Sequence, residues 1–267
     1  MKYSHMVDLH SHSDNSHDGK HNVTLMCEYA IRNGLRALAV TDHCECMPEP
    51  FKRHNTELTL KQSFFETCKA KSIFSGNLLV LAGVEVGTPL SNTEAAARVL
   101  DKQYDIVLGS VHRFDAAPDG FMKMAPDTDP LPALKAYFDE VCRMAESGLV
   151  DVIAHLLYPL RYIKCDVNIA DYYSQIDCLF HLMAERDIAY EVNTSHLTKY
   201  ADRKLPEADM LKRFRAAGGR YVTVGSDAHS AHDVGSGVEV GLDLLDSCGF
   251  DRVSVYIDRV PLEIDYR

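Results

Sequence analysis

VDLHSH, residues 7–12, is a short apolar run that ends in two imidazoles, and the same construction recurs along the chain. AVTDH (39–43), VLAGVE (80–85), VLGSVH (107–112), DVIAH (151–155) and VTVGSDAH (222–229) are rich in aliphatic residues and finish on a histidine or a carboxylate. Runs of this length and composition read as buried strands. Strands that discharge imidazoles and acids at one end describe a barrel, because its strand ends converge on one point, whereas an open sheet would spread them along a line.

Longer segments of helical period separate the runs, so the chain reads as repeated βα units. Strands are expected near 6–9, 36–41, 79–85, 106–111, 150–154, 189–193 and 221–225. Helices are expected near 23–33, 58–75, 93–101, 131–147, 168–186, 207–217 and 238–246. Asn22 or Thr24 opens the first helix and Asn33-Gly34 stops it, while Ala217-Gly218-Gly219 stops the sixth. Seven strands with a helix after each give an α/β fold, a distorted (β/α)7 TIM-like barrel. VSVYI (253–257) is a candidate eighth strand, but it offers no ligand and leads into a short charged tail. With 267 residues, 46% of them hydrophobic, the chain can bury one large core, and residues 1–267 read as a single domain. The loops at 44–57 and 114–130, rich in Pro, Asp and Met, are the candidates for covering a substrate.

Lys and Arg number 28 against 39 Asp and Glu, a formal charge of −11, which argues against nucleic acid as the main partner. A small anionic substrate is compatible with that balance, since a few cations inside a pocket outweigh distant surface charge. The opening MKYSHMVDLH lacks a signal-peptide pattern and the chain has no long apolar run, so a cytoplasmic protein without a membrane partner is expected. The eight cysteines are scattered apart from Cys44 and Cys46, and read as reduced, buried thiols.

His10 and His12 sit two apart, so an extended backbone projects both to one side, where they can share a metal. The turn SHDG that follows offers Asp18, with His17 as its competitor and Gly19 easing the turn. His43 closes the second strand, Glu85 the third, His112 the fourth, His155 the fifth, and Asp227 with His229 the seventh. A single histidine at a strand end is most often structural. That explanation fails for six strand ends of seven on the barrel face where active sites occur. The two oxygens of Glu85 suit it to bridging two cations. Nine candidate ligands, counting one of His17 and Asp18, exceed what one or two metals use, and three divalent ions are the natural count. Imidazole and carboxylate ligation suits Zn, Mn or Fe, and Cys44 and Cys46 lie past the strand end.

Together these residues resemble the PHP (polymerase and histidinol phosphatase) superfamily of metal-dependent phosphoesterases over nearly the full length. Its signature regions stand here as HSHSDNSHDG (10–19), TDH (41–43), VIAH (152–155) and GSDAH (225–229), with Glu85 and His112 in order between them. The resemblance implies a trinuclear centre on a distorted barrel. It also favours Asp18 over His17, since in relatives the residue eight after the first histidine completes the first cluster. Within the superfamily, YEVNTSHLTKY (190–200) followed by GSDAHSAHDVG (225–235) is most similar to L-histidinol-phosphate phosphatases of the HisJ/HisK type. That group commonly shows a Gly and then Tyr-Pro after NTS, where this chain has His196 and then Lys204-Leu205-Pro206.

The expected reaction is hydrolysis of a phosphate monoester, L-histidinol phosphate by the resemblance, through attack of a metal-bridging hydroxide on phosphorus. Arg161, six residues after His155, is the first choice for binding two phosphate oxygens, and Arg113 the second. Asp227, His229, His43 and His196 are the candidates for protonating the leaving group. Asn193, with His196, is expected to read the substrate or to cap the turn after its strand. Glu45, Glu49 and Asp115 are candidates for meeting a substrate ammonium. Two other readings stand beside this one: phosphatase or phosphodiesterase action on a nucleotide, sugar phosphate or phosphotyrosine, and a catalytically silent metal-binding regulatory module.

Overall fold

Met6–Asp8 forms β1, and the chain then runs extended through the two histidines before entering the first helix, Val23–Arg32 (α1). The Asn22 side chain caps α1 by accepting from the Leu25 N–H at 2.9 Å. Gly34, at φ 76°, turns the chain from Asn33 directly into β2 (Leu35–Val40). The computed structural model describes residues 2–46, 56–117, 119–124 and 129–267.

The unit then repeats around the barrel. After β3 (His43–Glu45) come α2 (Thr56–Ile73) and β4 (Leu79–Gly87), α3 (Thr93–Leu100) and β5 (Ile106–Ser110), α4 (Leu131–Glu146) and β6 (Val152–Ile153). The last units are α5 (Tyr173–Glu185) and β7 (Ala189–Asn193), α6 (Glu207–Ala216) and β8 (Val222–Gly225), and α7 (Val238–Ser247). Apart from α2, whose buried face includes Ser63 and Thr67, the helices lay an apolar stripe on the strands. On α4 the buried positions Leu134, Tyr137, Phe138, Val141 and Met144 recur at helical spacing, and between α5, β7 and α6 the rings of Phe180, Tyr190 and Phe214 stand 5.6 to 5.9 Å apart.

Strands β1, β2 and β4 to β8 pair in parallel in that order, making the seven-stranded barrel that the sequence predicts. Its seam is closed beyond the regular strands: Leu9 N–H donates to Val224 O at 2.9 Å, Asp227 N–H to His10 O at 2.9 Å, and His12 N–H to Ala228 O at 2.8 Å. Asp8 buckles this seam. Fully buried, its carboxylate accepts the Ser226 and Gly235 backbone N–H groups, each at 2.8 Å, together with the Ser226 hydroxyl. Asp8→Ala would strand these donors without water and is expected to cost about 3 kcal/mol of stability, read as a lower denaturant midpoint with unchanged slope.

Two elements depart from the expected pattern. The second strand stops at Val40, and His43 sits on the separate strand β3, paired in parallel with the C-terminal half of β4 so that His43 stands beside Glu85. The break falls at Asp42, whose carboxylate is turned into the protein to accept from Ser13 N–H and from the Ser13, Ser16 and Ser63 hydroxyls. The second departure is at the C-terminus, where Arg252–Ile257 (β9) pairs antiparallel with Val260–Asp265 (β10) in place of the expected charged tail. Asp258 and Arg259, both at positive φ, make the two-residue turn, and the Arg259 guanidinium pins the hairpin to Asp151 at 2.9 Å.

All eight cysteines are free, but Cys165 and Cys178 are exposed, which corrects the expectation that the thiols are buried. Among the described residues no helix is long and apolar enough to cross a membrane.

Candidate metal centre

The extended backbone through Leu9 to Ser13 sends His10 and His12 to the same side, with their Nε2 atoms 3.1 Å apart, while Ser11 turns outward and donates to Ala39 O. Glu85, near the end of β4, lies between them and the rest of the cluster. Its Oε2 is 3.4 Å from His10 Nε2, 3.6 Å from His12 Nε2 and 2.8 Å from His43 Nδ1. Its Oε1 is 2.9 Å from His155 Nε2 and 3.4 Å from His112 Nε2. One carboxylate therefore faces five imidazoles contributed by four segments of chain.

Asp227 faces the same space from the β8 side, its Oδ1 3.4 Å from His12 Nε2 and 3.7 Å from His10 Nε2. The Nδ1 of His229 donates to the Asp227 carbonyl at 2.9 Å, which leaves Nε2 directed at Asp18, 3.2 Å away. Asp18 also lies 3.7 Å from His43 Nε2, so the turn after the N-terminal histidines folds back on the cluster. His17 is at 3.6 Å from Asp18, and neither of the two is in the close donor groups among the described residues, though Asp18 approaches both His43 and His229.

The donors fit divalent metal ions. They form overlapping groups, His12-His43-His229, His10-His12-Asp227, His10-Glu85-His155 and His43-Glu45-His112, with one atom per residue lying within 4.8 Å of the others. Glu85 Oε2 and His43 Nδ1 are buried, 2.8 Å apart, and still make no hydrogen bond of acceptable geometry. Buried polar atoms that converge without satisfying one another are the arrangement a cation satisfies and an apolar interior does not.

Outer groups hold the rings. His112 Nδ1 meets Glu45 at 2.7 Å and His10 Nδ1 meets Glu191 at 2.6 Å, so both rings turn Nε2 inward. Glu191, in the middle of β7, was not anticipated from the sequence. The signal available was an acid inside a run of otherwise buried strand residues, which requires a partner. Gly225 makes room for it, since a Cβ there would stand 2.4 Å from His10 Cβ and 2.7 Å from Glu191 Oε1.

Burial opposes the charge on every one of these groups, and their mutual attraction overrides it for most. Burial notwithstanding, Glu191, Glu85 and Asp227 hold His10 well above the usual histidine range, and Glu85 and Asp18 do the same for His43. Conversely, burial is overcome by neighbouring imidazoles that keep the Glu85 and Asp227 carboxyls well below theirs. Burial and the adjacent His43 push His12 well down.

These directions fix how the metal-free protein responds to pH. The raised imidazoles stabilise it fully below the unfolded histidine value of about 6.5 and lose that contribution as pH rises through their folded values. The depressed carboxylates act above the unfolded value of about 4 and fail only in acid. Chelator-treated protein is therefore expected to melt lower at pH ~9 than at pH ~6, and metal to reverse the order, because its ligands must shed protons to bind. Thermal scans at both pH values check this.

Arg161 follows β6 on a short 3-10 turn, Tyr158–Arg161, with its guanidinium between the rings of Tyr158 and Tyr200 at 5.3 and 5.0 Å. It donates to Asp227 Oδ2 at 3.3 Å, Asn193 Oδ1 at 3.1 Å and Ser195 Oγ at 3.0 Å, and its Nε is buried and unpartnered. A cleft of about 440 Å³ opens over the cluster, with Asp18, His43, His155 and Asp227 on its floor and Arg113, Lys123, Tyr158 and Tyr200 on its walls. Asn193 takes the capping role expected of it, accepting from Ser195 N–H at 3.2 Å, and its Oδ1 also accepts from Arg161, a contact not expected. His196 is not brought to the cleft. It is buried with Nδ1 on Glu207, whose other oxygen accepts from the Tyr190 hydroxyl at 2.7 Å. Of the acids expected at the mouth, Glu45 lines the cleft but is engaged by His112, Asp115 is exposed away from it with Asp119 on the rim instead, and Glu49 lies outside the described residues. The two long loops fall partly outside the described residues as well.

Residues 8–195 match the family described as PHP domain. The chain is 25% identical over 253 residues to a probable histidinol-phosphatase of Thermotoga maritima, covering 94% of this chain and 95% of that protein. It is 26% identical over 249 residues to a probable phosphatase of Vibrio vulnificus, covering 92% and 86%. The crystal structure of histidinol phosphate phosphatase from Lactococcus lactis, complexed with zinc, L-histidinol and phosphate, superposes with a TM-score of 0.82 at 21% identity, covering 96% of this chain and 98% of that one, and shows the same fold.

Proposed function

The chain belongs to the PHP family, and from that premise we propose that it is a metal-dependent phosphomonoesterase that converts L-histidinol phosphate and water to L-histidinol and phosphate. The observation that carries this reading is the position of Arg161, whose guanidinium shares Asp227 with the donor cluster, a juxtaposition of cation and metal donors that suits a phosphate ester. The full-length similarity to proteins named histidinol-phosphatase supports the substrate. We read residues 1–267 as one functional unit, since Asp227 and His229 complete a cluster begun by His10.

Three divalent ions, Zn, Mn or Fe, would be held by His10, His12, Asp18, His43, Glu85, His112, His155, Asp227 and His229. Bound there, they would activate water and polarise the phosphoryl oxygens near neutral pH. Arg161 supplies a fixed positive charge and its remaining Nη1 hydrogen to the ester phosphate, held in place by Asn193, Ser195 and the two tyrosine faces. Arg113 reaches the same cleft from the far wall. Of the groups expected to protonate the leaving alkoxide, His196 is committed to Glu207 and Asp227 to Arg161. His229 has Nδ1 on the Asp227 carbonyl and Nε2 as its metal-facing atom, which leaves His43, with Nε2 toward Asp18 on the cleft floor.

The test is turnover of L-histidinol phosphate by the metal-loaded protein against p-nitrophenyl phosphate, a sugar phosphate, a nucleotide and phosphotyrosine. A clear preference for L-histidinol phosphate is expected. Equal turnover of all five would sink the substrate assignment, and no hydrolysis of any would sink the phosphatase.

A further inference from the structure

We propose that Glu191 is a positioning residue that presets two of the metal-facing histidines at once, fixing the ring of His10 and the backbone of His155; this rests on the metal-centre reading given above. The carboxylate is only 2% exposed and sits inside the barrel on β7, the strand whose own end supplies Asn193 in place of a metal donor. Its Oε1 accepts from His10 Nδ1 at 2.6 Å, while Oε2 accepts from the His155 backbone N–H at 2.7 Å and from the Asn193 amide at 3.2 Å.

Each contact has a separate consequence. The bond to His10 Nδ1 selects the tautomer whose Nε2 lone pair faces Glu85 and Asp227. The bond to the His155 N–H holds that residue at φ 28°, a conformation costly for a side chain with a Cβ, and from it the ring reaches Glu85 Oε1 at 2.9 Å. Asn193 extends the brace, joining Glu191 to Asp227 at 3.4 Å while its oxygen receives Arg161. A single carboxylate thus spans donors from β1 and β6 and, through one amide, the phosphate anchor.

Glu191→Gln preserves volume but cannot accept at both ends, because its amide nitrogen must face either the His10 or the His155 donor. Zinc affinity of the stripped full-length protein is measured by competition with a chromophoric chelator, alongside unfolding of the metal-free form. The expected result is some loss of metal-free stability, zinc affinity lowered about 10- to 100-fold in the molecules that remain folded, and turnover restored by excess zinc. Lowered stability with wild-type zinc affinity would mark Glu191 as merely structural and overturn the proposal, as would no change in either. Should the variant not fold, Glu191→Asp keeps the charge inside the barrel but is one methylene too short to reach both His10 Nδ1 and the His155 N–H, and carries the same expectation. The zinc readout needs no substrate: wild type that binds zinc but hydrolyses no phosphate ester defeats the proposed function, whereas equal zinc affinity in wild type and variant defeats this inference.

Discussion

Glu85→Gln is expected to remove at least two metal equivalents together and to lower turnover by more than about 100-fold. The expectation follows from the two faces of one carboxylate: Oε2 looks toward His10, His12 and His43, while Oε1 looks toward His112 and His155. An amide has the same shape but carries no charge and offers one acceptor in place of two. Both halves of the cluster then lose their shared anion. The metal-free protein is also affected, because Glu85 is among the charges that keep His10 and His43 protonated. Removing it should bring those imidazoles back toward neutrality, so the variant should depend less on pH above ~6 than wild type does. Elemental analysis, initial rates and thermal scans read the three effects. Loss of one equivalent with retained turnover would show that Glu85 serves a single ion.

Such a centre was legible in the sequence because its parts are local: each donor ends its own apolar run, and parallel strands of one barrel must end together. What holds the donors was not legible. Glu191 lies 181 residues from His10, and nothing near either residue marks the contact. His43 could be assigned to a strand end, but its displacement onto β3 depends on Ser13, Ser16 and Ser63 drawing Asp42 inward, contacts spanning 21 to 29 residues. Half of the final hairpin is legible, since VSVYI reads as a strand, but its return strand is not, because the turn, Asp258-Arg259, lacks the glycine or asparagine that usually signals two successive positive φ values. His196 was misplaced for a related reason. A histidine just past a strand end looks available until Glu207, eleven residues on, is seen to hold it.

Arg161→Ala is expected to lower kcat/KM for a phosphate monoester by about 100-fold, most of it through a higher KM, with the metal content retained. The guanidinium is 8% exposed, and it is fixed by three acceptors and two aromatic faces before any substrate arrives. That preorganisation is why its loss should act on binding: the phosphate loses an oriented cation whose ordering cost is already met within the fold. Arg161→Lys should recover only part of the loss, because an ammonium keeps the charge but cannot hold Asp227, Asn193 and Ser195 and still reach the phosphate. The truncation also leaves Asp227 Oδ2 with only the Asn193 amide at 3.4 Å. If the arginine acted mainly by holding Asp227, the alanine variant would lose metal and kcat together, and excess zinc would restore turnover. A raised KM that excess zinc leaves unchanged assigns Arg161 to the phosphate itself, and an unchanged KM and kcat would remove it from the reaction.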